Sequence, residues 1–192
     1  MFYITEDNKL LNYADIKYSQ ECKYTDIITQ RELDLFPNKV LVQDNVLVLN
    51  PDFEEQELKK AKEAKYEEAN IKANMYLQSG EALFEFQPNK HIEATDGNIA
   101  KLGLSLAEFL FEQDMTSTID WNTKEDETVQ LNALDLKAIV SGLKNIQTVV
   151  WTVKYPRYLE EINKAETVEE VKNIEIDYTK EAEPIAEQIE EN

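Results

Sequence analysis

Residues 39–51 read KVLVQDNVLVLNP and contain the clearest hairpin of the chain. Two runs of valine and leucine, 40–42 and 46–49, flank Gln43-Asp44-Asn45. Asp and Asn tolerate the left-handed backbone that tight hairpin turns need. Asn50-Pro51 then ends the second run. This stretch therefore predicts two short antiparallel strands, the second of which ends at Asn50-Pro51.

Residues 52–79 read DFEEQELKKAKEAKYEEANIKANMYLQS, with no Gly or Pro. Acidic residues open the stretch, as the helix dipole prefers, and Glu55/Lys59 and Glu68/Lys72 are favourable pairs four residues apart. We expect one long helix whose apolar stripe is thin and rich in alanine. Such a helix either lies on the surface of its own domain or pairs with another copy of the chain.

Short β-prone runs and one short helix fill residues 1–51. The runs are Met1–Thr5, Leu10–Tyr13 and Tyr24–Ile28, in addition to the hairpin over residues 40–49. Thr29 and Glu32 have the spacing of a capping box and predict a helix that ends before Pro37.

Helices and further hairpins alternate in residues 80–179. Hairpins are predicted over residues 82–94 and 118–131, helices over 99–113, from Asn132 to Pro156, on to Ala165 and again from Thr167, and a β-type segment over 174–178. The fold class is α+β, with a small N-terminal β-hairpin part, a long connecting helix and a C-terminal domain of short hairpins packed on two or three helices. Residues 180–192 form an acidic tail that we expect to be disordered.

The net charge is −19. Nucleic-acid binding depends on Lys and Arg neutralising phosphates, and no run of three basic residues exists, so nucleic acid is not an expected partner. A protein whose acidic face imitates DNA is the exception. No apolar run is long enough to span a bilayer, so no membrane is expected and the predicted location is the cytoplasm.

The residues that common catalytic sites need are scarce. His91 and Cys22 are the only residues of their kinds, and the four glycines are scattered. Zinc sites take three or four N, S or O ligands, and phosphate loops need clustered glycine. We therefore expect no catalytic residues, no metal and no cofactor, and interpret His91 as surface or structural.

Tyrosines crowd the N-terminal part and suggest an interface, because tyrosine combines a large contact area with a polar tip. They either pack inside or form a docking face. Val40–Leu49 offers an edge strand as well. The candidate protein-binding residues are Tyr3, Tyr13, Tyr18, Tyr24, Val46 and Val48.

The C-terminal part carries Trp121 in a short β run, then Leu131-Asn132-Ala133-Leu134, Tyr158–Ala165, Thr167–Val171 and Ile174–Asp177. In this order it resembles an uncharacterised domain common in bacteriophage and prophage tail gene clusters. The N-terminal part, with Met1-Phe2-Tyr3-Ile4 and Lys39–Leu49, is similar to phage tail-fibre assembly proteins.

The resemblance implies a non-enzymatic prophage protein in the bacterial host cell that binds a tail-fibre protein and assists its folding or assembly. It brings no catalytic residues. Two alternatives stay open: a structural tail component that remains in the virion, and an acidic inhibitor or DNA mimic that binds a host protein. A homo-oligomer is a further possibility.

Overall fold

The computed structural model describes residues 1–180 and is a mixed α and β structure, as predicted. The chain divides into two compact units, the first over Met1–Lys60 and the second from Ala61 onward. One long helix, α2, spans Phe53–Gln78 and contributes to both units. The predicted acidic tail lies beyond the described residues, apart from Lys180. No helix within residues 1–180 is long and apolar enough to cross a membrane.

The first unit combines two small antiparallel sheets with one short helix. Its elements are β1 (Phe2–Glu6), β2 (Lys9–Ala14), β3 (Lys23–Tyr24), α1 (Gln30–Leu35), a 3₁₀ turn (Pro37–Lys39), β4 (Val40–Gln43) and β5 (Val46–Leu49). One sheet has the strand order β2-β1-β3, and β4 pairs with β5 in the other.

The two hairpin turns of the first unit have the same backbone geometry and bind each other. Asp7, Asn8, Asp44 and Asn45 all have positive φ, between 49° and 59°. This is the conformation that two-residue hairpin loops require. The backbone N–H of Asn8 donates to Asn45 Oδ1, and that of Asn45 to Asn8 Oδ1, both at 2.9 Å. The predicted hairpin over residues 40–49 is confirmed.

The third β-prone run, Tyr24–Ile28, is a strand only at its first residue, so this prediction was wrong over most of its length. Thr25 Oγ1 accepts a hydrogen bond from the N–H of Ile27, which turns the chain. Ile28 then enters the core beside Leu33. Helix α1 begins where predicted, because Thr29 and Glu32 form a complete capping box.

The second unit combines helices with two separate two-stranded hairpins. Its elements after α2 are β6 (Leu83–Gln87), β7 (Lys90–Glu93), α3 (Asp96–Glu112), β8 (Ile119–Asn122), β9 (Thr128–Leu131), α4 (Ala133–Val149), a π-helical turn (Val150–Lys154), α5 (Tyr155–Lys164) and α6 (Val168–Asn173). Helix α3 packs against α4, and β6 lies on α4 next to Gly142.

The alanine stripe of α2 is covered by its own unit along the C-terminal half of the helix. Ala69 and Ala73 are fully buried and Leu77 nearly so. Tyr178 donates a hydrogen bond from its hydroxyl to the Ala69 carbonyl, at 3.1 Å. Of the two predicted possibilities, this half of α2 is a helix that lies on its own domain.

Helices in the second unit differ from the prediction at two places. The helix predicted over residues 99–113 begins three residues earlier, at Asp96, because Thr95 Oγ1 accepts the N–H of Asn98 and caps the helix there. The break after α4 is the π-helical turn rather than Pro156 itself. Pro156 lies in the first turn of α5, directly after this π-helical turn, and the backbone stays helical through both.

The segment Ile174–Tyr178 is buried at alternate residues but pairs with no strand of the described chain, which corrects the predicted β-type segment. Side chains of neighbouring helices hold its backbone instead. The Tyr158 hydroxyl donates to the Asp177 carbonyl at 2.8 Å and accepts the Asp177 N–H at 3.0 Å. Lys72 donates to the Ile176 carbonyl at 3.2 Å.

Candidate protein-binding surface

Two of the six candidate residues lie in the core of the first unit or pack against it. Tyr3 is 2 % exposed, and its hydroxyl accepts the backbone N–H of Leu47 at 3.4 Å. Tyr13 packs against the same cluster, and its hydroxyl donates to Asp34 at 2.8 Å. That hydrogen bond to a carboxylate raises the pKa of Tyr13. Tyr3 thus joins the two sheets, Tyr13 joins β2 to α1, and the buried Tyr3 offers no surface to a partner.

Two other tyrosines reach solvent. Tyr24 is 65 % exposed and packs edge-to-face against Phe2, with ring centroids 5.3 Å apart. The two residues are directly opposite each other on β3 and β1. Tyr18 lies in the loop between β2 and β3 and is also exposed. An aromatic pair of this kind adds cross-strand stability and still leaves most of one ring in water.

The outer face of the β4–β5 hairpin, formed by Leu41, Val46 and Val48, is apolar; we call it the hairpin face. Leu41 pairs with Val48, and Gln43 with Val46, so these side chains share one side of the ladder. Leu41 and Val46 are 40 % and 46 % exposed, and Val48 is half-buried. The opposite side carries Val40 and Leu47, which are buried in the core.

The backbone of β4 adds unpaired hydrogen-bonding groups to the hairpin face. With a two-residue turn, Gln43 and Val46 form a hydrogen-bonded pair, and alternation makes Leu41 and Val48 the next such pair. The N–H and C=O groups of Val42 therefore point away from β5. Within residues 1–180 no other strand pairs with β4. This open edge is the feature that a partner strand can use.

The candidate residues do not form one continuous patch. Tyr3, on the inner side of β1, meets the hairpin at Leu47, so the two sheets face each other there. Tyr24 is on the outer side of its sheet, and the hairpin face is on the outer side of the other. Leu41 was missed in the sequence, although valine and leucine at both odd and even positions of 40–49 indicate a strand pair with two apolar faces.

His91 is part of a polar contact between two hairpins. Its Nδ1 lies 2.7 Å from Glu125 Oε1, and its backbone N–H donates to Glu125 Oε2 at 3.0 Å. These contacts, led by the backbone hydrogen bond, lower the pKa of Glu125 to about 2. Ion pairs Lys90–Glu127 and Lys124–Glu93 flank it at 2.8 and 2.6 Å. The arrangement joins β7 to the β8–β9 turn.

An open cleft of about 440 Å³ lies beside this contact and is lined mainly by polar groups around Trp121, including Asn98, Asn122 and Asp126. In the described part of the chain, no group of three or more His, Cys, Asp or Glu side chains is placed to hold a metal ion.

Compared with known protein families, with curated proteins and with solved structures, the chain has no significant match.

Proposed function

We propose that this protein acts by binding another protein through the hairpin face of its first unit, and that the partner is a phage tail-fibre protein whose folding or assembly it assists. The observation that carries the proposal is a hairpin apolar on both sides. One side, with Val40 and Leu47, is used in the core. The other side, with Leu41, Val46 and Val48, contacts water.

The open edge of β4 favours recognition of an extended segment. A strand added beside Val42 would complete the backbone hydrogen bonds of β4 and extend the apolar hairpin face by its own side chains. The choice of a fibre protein as the partner rests on the resemblance of residues 1–50 and 60–180 to tail-cluster proteins.

Co-expression with the cognate tail-fibre protein tests the proposal. We expect a stable complex with the full chain and a higher yield of soluble fibre trimer. The Val46→Asp/Val48→Asp double variant should lose at least tenfold in affinity, because it places two carboxylates on the hairpin face at more than about 1.4 kcal/mol in total. The readouts are co-purification and titration calorimetry.

Leu134→Asp is the matched control. Leu134 is 67 % exposed but lies in the first turn of α4, where an acidic residue suits the helix dipole. This variant should bind the fibre as the wild type does. If the wild-type chain neither binds the fibre nor changes its trimer yield, the proposal fails. If both variants bind equally well, the hairpin face is not the docking surface.

A further inference from the structure

Helix α3 is apolar on two opposite sides. Its inner side packs against α4 and includes Leu102, which is fully buried, and Leu106. Its outer side contains Leu104, 62 % exposed, and Phe111, 90 % exposed. Leu110, near the C-terminal end of α3, is 56 % exposed as well. Three large apolar side chains exposed on one helix, rather than a single one, are what an interaction site offers.

The outer side has the spacing of a coiled-coil seam. Exposed apolar residues recur at Ala100, Leu104, Ala107 and Phe111, at intervals of four, three and four. This is the a/d spacing of a heptad, which places all four side chains on one stripe that a second helix can cover. We call it the α3 stripe. The stripe alternates a small residue with a large one.

The side chains of the α3 stripe complement each other in size when the helices of two copies run antiparallel. Reversing one copy about the middle of the stripe places Phe111 opposite Ala100 and Leu104 opposite Ala107. Every layer then pairs a large side chain with a small one, which is how helix interfaces fill space without voids or overlap. A parallel pair would instead place Phe111 against Phe111 and Ala100 against Ala100, one layer overfilled and one empty.

The flanking charges match the same arrangement. Ala100 and Ala107 take the d positions of the heptad. Lys101 and Glu108 directly follow them, lie on one side of the α3 stripe and are exposed. In an antiparallel pair these positions of the two copies face each other, so Lys101 of each copy meets Glu108 of the other. On the other side of the stripe, Leu110 of one copy falls beside Gly103 of the other. Neither residue of the charged pair has an ion-pair partner elsewhere in residues 1–180.

We propose that the α3 stripe binds a second copy of this chain, forming an antiparallel helix pair with two symmetric Lys101–Glu108 contacts. A two-fold interface needs a surface that complements itself, and both the sizes and the charges of α3 do so. The proposal is independent of fibre binding, because it uses the second unit alone.

Charge exchange on the full chain tests the pairing. Sedimentation equilibrium at about 0.15 M salt, which screens the overall negative charge, should show a dimer for the wild type. Lys101→Glu and Glu108→Lys each create two like-charge contacts per dimer and should weaken association roughly tenfold. The double variant restores opposite charges and should regain the wild-type affinity. A double variant as weak as the single ones would overturn the pairing.

Hydrophobic truncation provides an independent measurement. Phe111→Ser should weaken the dimer on the order of a hundredfold, since each dimer loses two buried rings. Met75→Ser, at an exposed methionine on α2 (63 % exposed), should leave association unchanged. Because all these positions are exposed, circular dichroism should show folded variants. A wild-type chain that stays monomeric, or a dimer insensitive to Phe111→Ser, refutes the proposal.

Cross-linking distinguishes the two directions. In a Cys22→Ser background, a mixture of Leu104→Cys and Ala107→Cys chains should form the mixed disulfide in preference to either homodisulfide. The reason is that antiparallel packing brings position 104 of one copy to 107 of the other, within the Cβ separation that a disulfide needs. Preferential 104–104 and 107–107 disulfides would show a parallel pair and contradict the assignment.

Discussion

The two compact units of this chain are stabilised in different ways. The first closes a small core of six buried residues, Met1, Tyr3, Ile28, Leu33, Val40 and Leu47, and joins its hairpins through polar turns. The second buries whole sides of its helices, with Leu102, Leu136, Ile139, Leu143 and Ile162 at 0 % exposure. A small core leaves little stability in reserve. We therefore expect the same kind of damage to have unequal consequences in the two units.

The aromatic residues allow the two units to be followed separately. Both tryptophans, Trp121 and Trp151, lie in the second unit, whereas the first contains Tyr3, Tyr13, Tyr18 and Tyr24. Tryptophan fluorescence therefore reports unfolding of the second unit. The NMR signals of Tyr3 and Tyr13, which pack in or against the first core, report on the first.

The largest difference should come from leucine truncation in each core. Leu33→Ala and Leu136→Ala each remove a side chain at 2 % exposure or less, at a cost of about 3 kcal/mol. In the first unit this is a large part of the whole stability, so Leu33→Ala should unfold it at room temperature. Leu136→Ala should lower the unfolding temperature of the second unit and leave it folded. Unfolding monitored by the two probes checks both.

Leu35→Ala serves as the control in the first unit, because Leu35 belongs to the same short helix but is 62 % exposed. It should change stability little. If the first unit stayed fully folded in Leu33→Ala, the expectation that it has a smaller free energy of unfolding than the second unit would be wrong.

The next comparison is between two helical glycines of the second unit, Gly142 and Gly103, each replaced by alanine. A Cβ on Gly142 would overlap the ring of Phe84, so β6 lies against the bare backbone of α4 there. Gly142→Ala should destabilise the second unit by about 2 kcal/mol, because overpacking outweighs the gain in helix propensity. Gly103 of α3 has no atom within 4 Å of such a Cβ, so Gly103→Ala should stabilise by about 0.5–1 kcal/mol. Urea denaturation followed by tryptophan fluorescence measures both.

A smaller loss of stability is expected when the hydroxyl group by which Tyr178 binds α2 is removed. Its ring is buried between Tyr76 and Tyr158, and burial raises its pKa. Tyr178→Phe keeps the ring but loses the hydrogen bond to the Ala69 carbonyl, so it should cost about 1 kcal/mol. Tyr66→Phe, which loses a solvent-exposed bond to Asn163, should cost less. Equal losses in both variants would show that burial of this hydroxyl bond contributes nothing.

Local sequence signals predicted most of the fold. Hairpin turns at Asp44-Asn45 and the capping residues Thr29 and Asn132 act within a few positions, so their outcome depends little on the rest of the chain. The segment Ile174–Tyr178 could not be predicted in the same way. Its alternating pattern is that of a strand, but Tyr158 and Lys72, distant in sequence, bind its backbone instead of a neighbouring strand.

The candidate surface was predicted less well than the fold. Tyrosine content cannot distinguish Tyr3, which is buried, from Tyr24, which is exposed, because both sit in short strands of similar composition. The distinction depends on the register, which places Tyr3 opposite Tyr13 and Phe2 opposite Tyr24. The outer side of α3 was detectable in principle, since Ala100, Leu104, Ala107 and Phe111 form a second periodic set alongside the inner one.

The smallest effects should appear in the pH dependence of stability at acidic pH. In each unit, one carboxylate with a lowered pKa allows this dependence to be measured. Glu32 binds Lys39 and the backbone of Thr29, and Glu125 binds the backbone and ring of His91; both have pKa values lowered from 4.5 to about 2. A lowered folded pKa means that the unfolded chain takes up a proton first. Each carboxylate therefore contributes stability above about pH 4.5, and this contribution is lost as the pH falls from there towards 2.

Glu32→Gln should reduce the stability that the first unit loses between pH 5 and pH 2, without affecting the second unit. Glu125→Gln should have the same effect on the second unit, without affecting the first. Thermal unfolding across this range, followed by the tyrosine and tryptophan probes, separates the two. Glu21→Gln removes an exposed carboxylate for which residues 1–180 offer no bonding partner, and should leave both profiles unchanged. If Glu125→Gln flattened the first unit's profile as strongly as the second's, the two units would unfold together. Their stabilities would then have to be treated as one quantity.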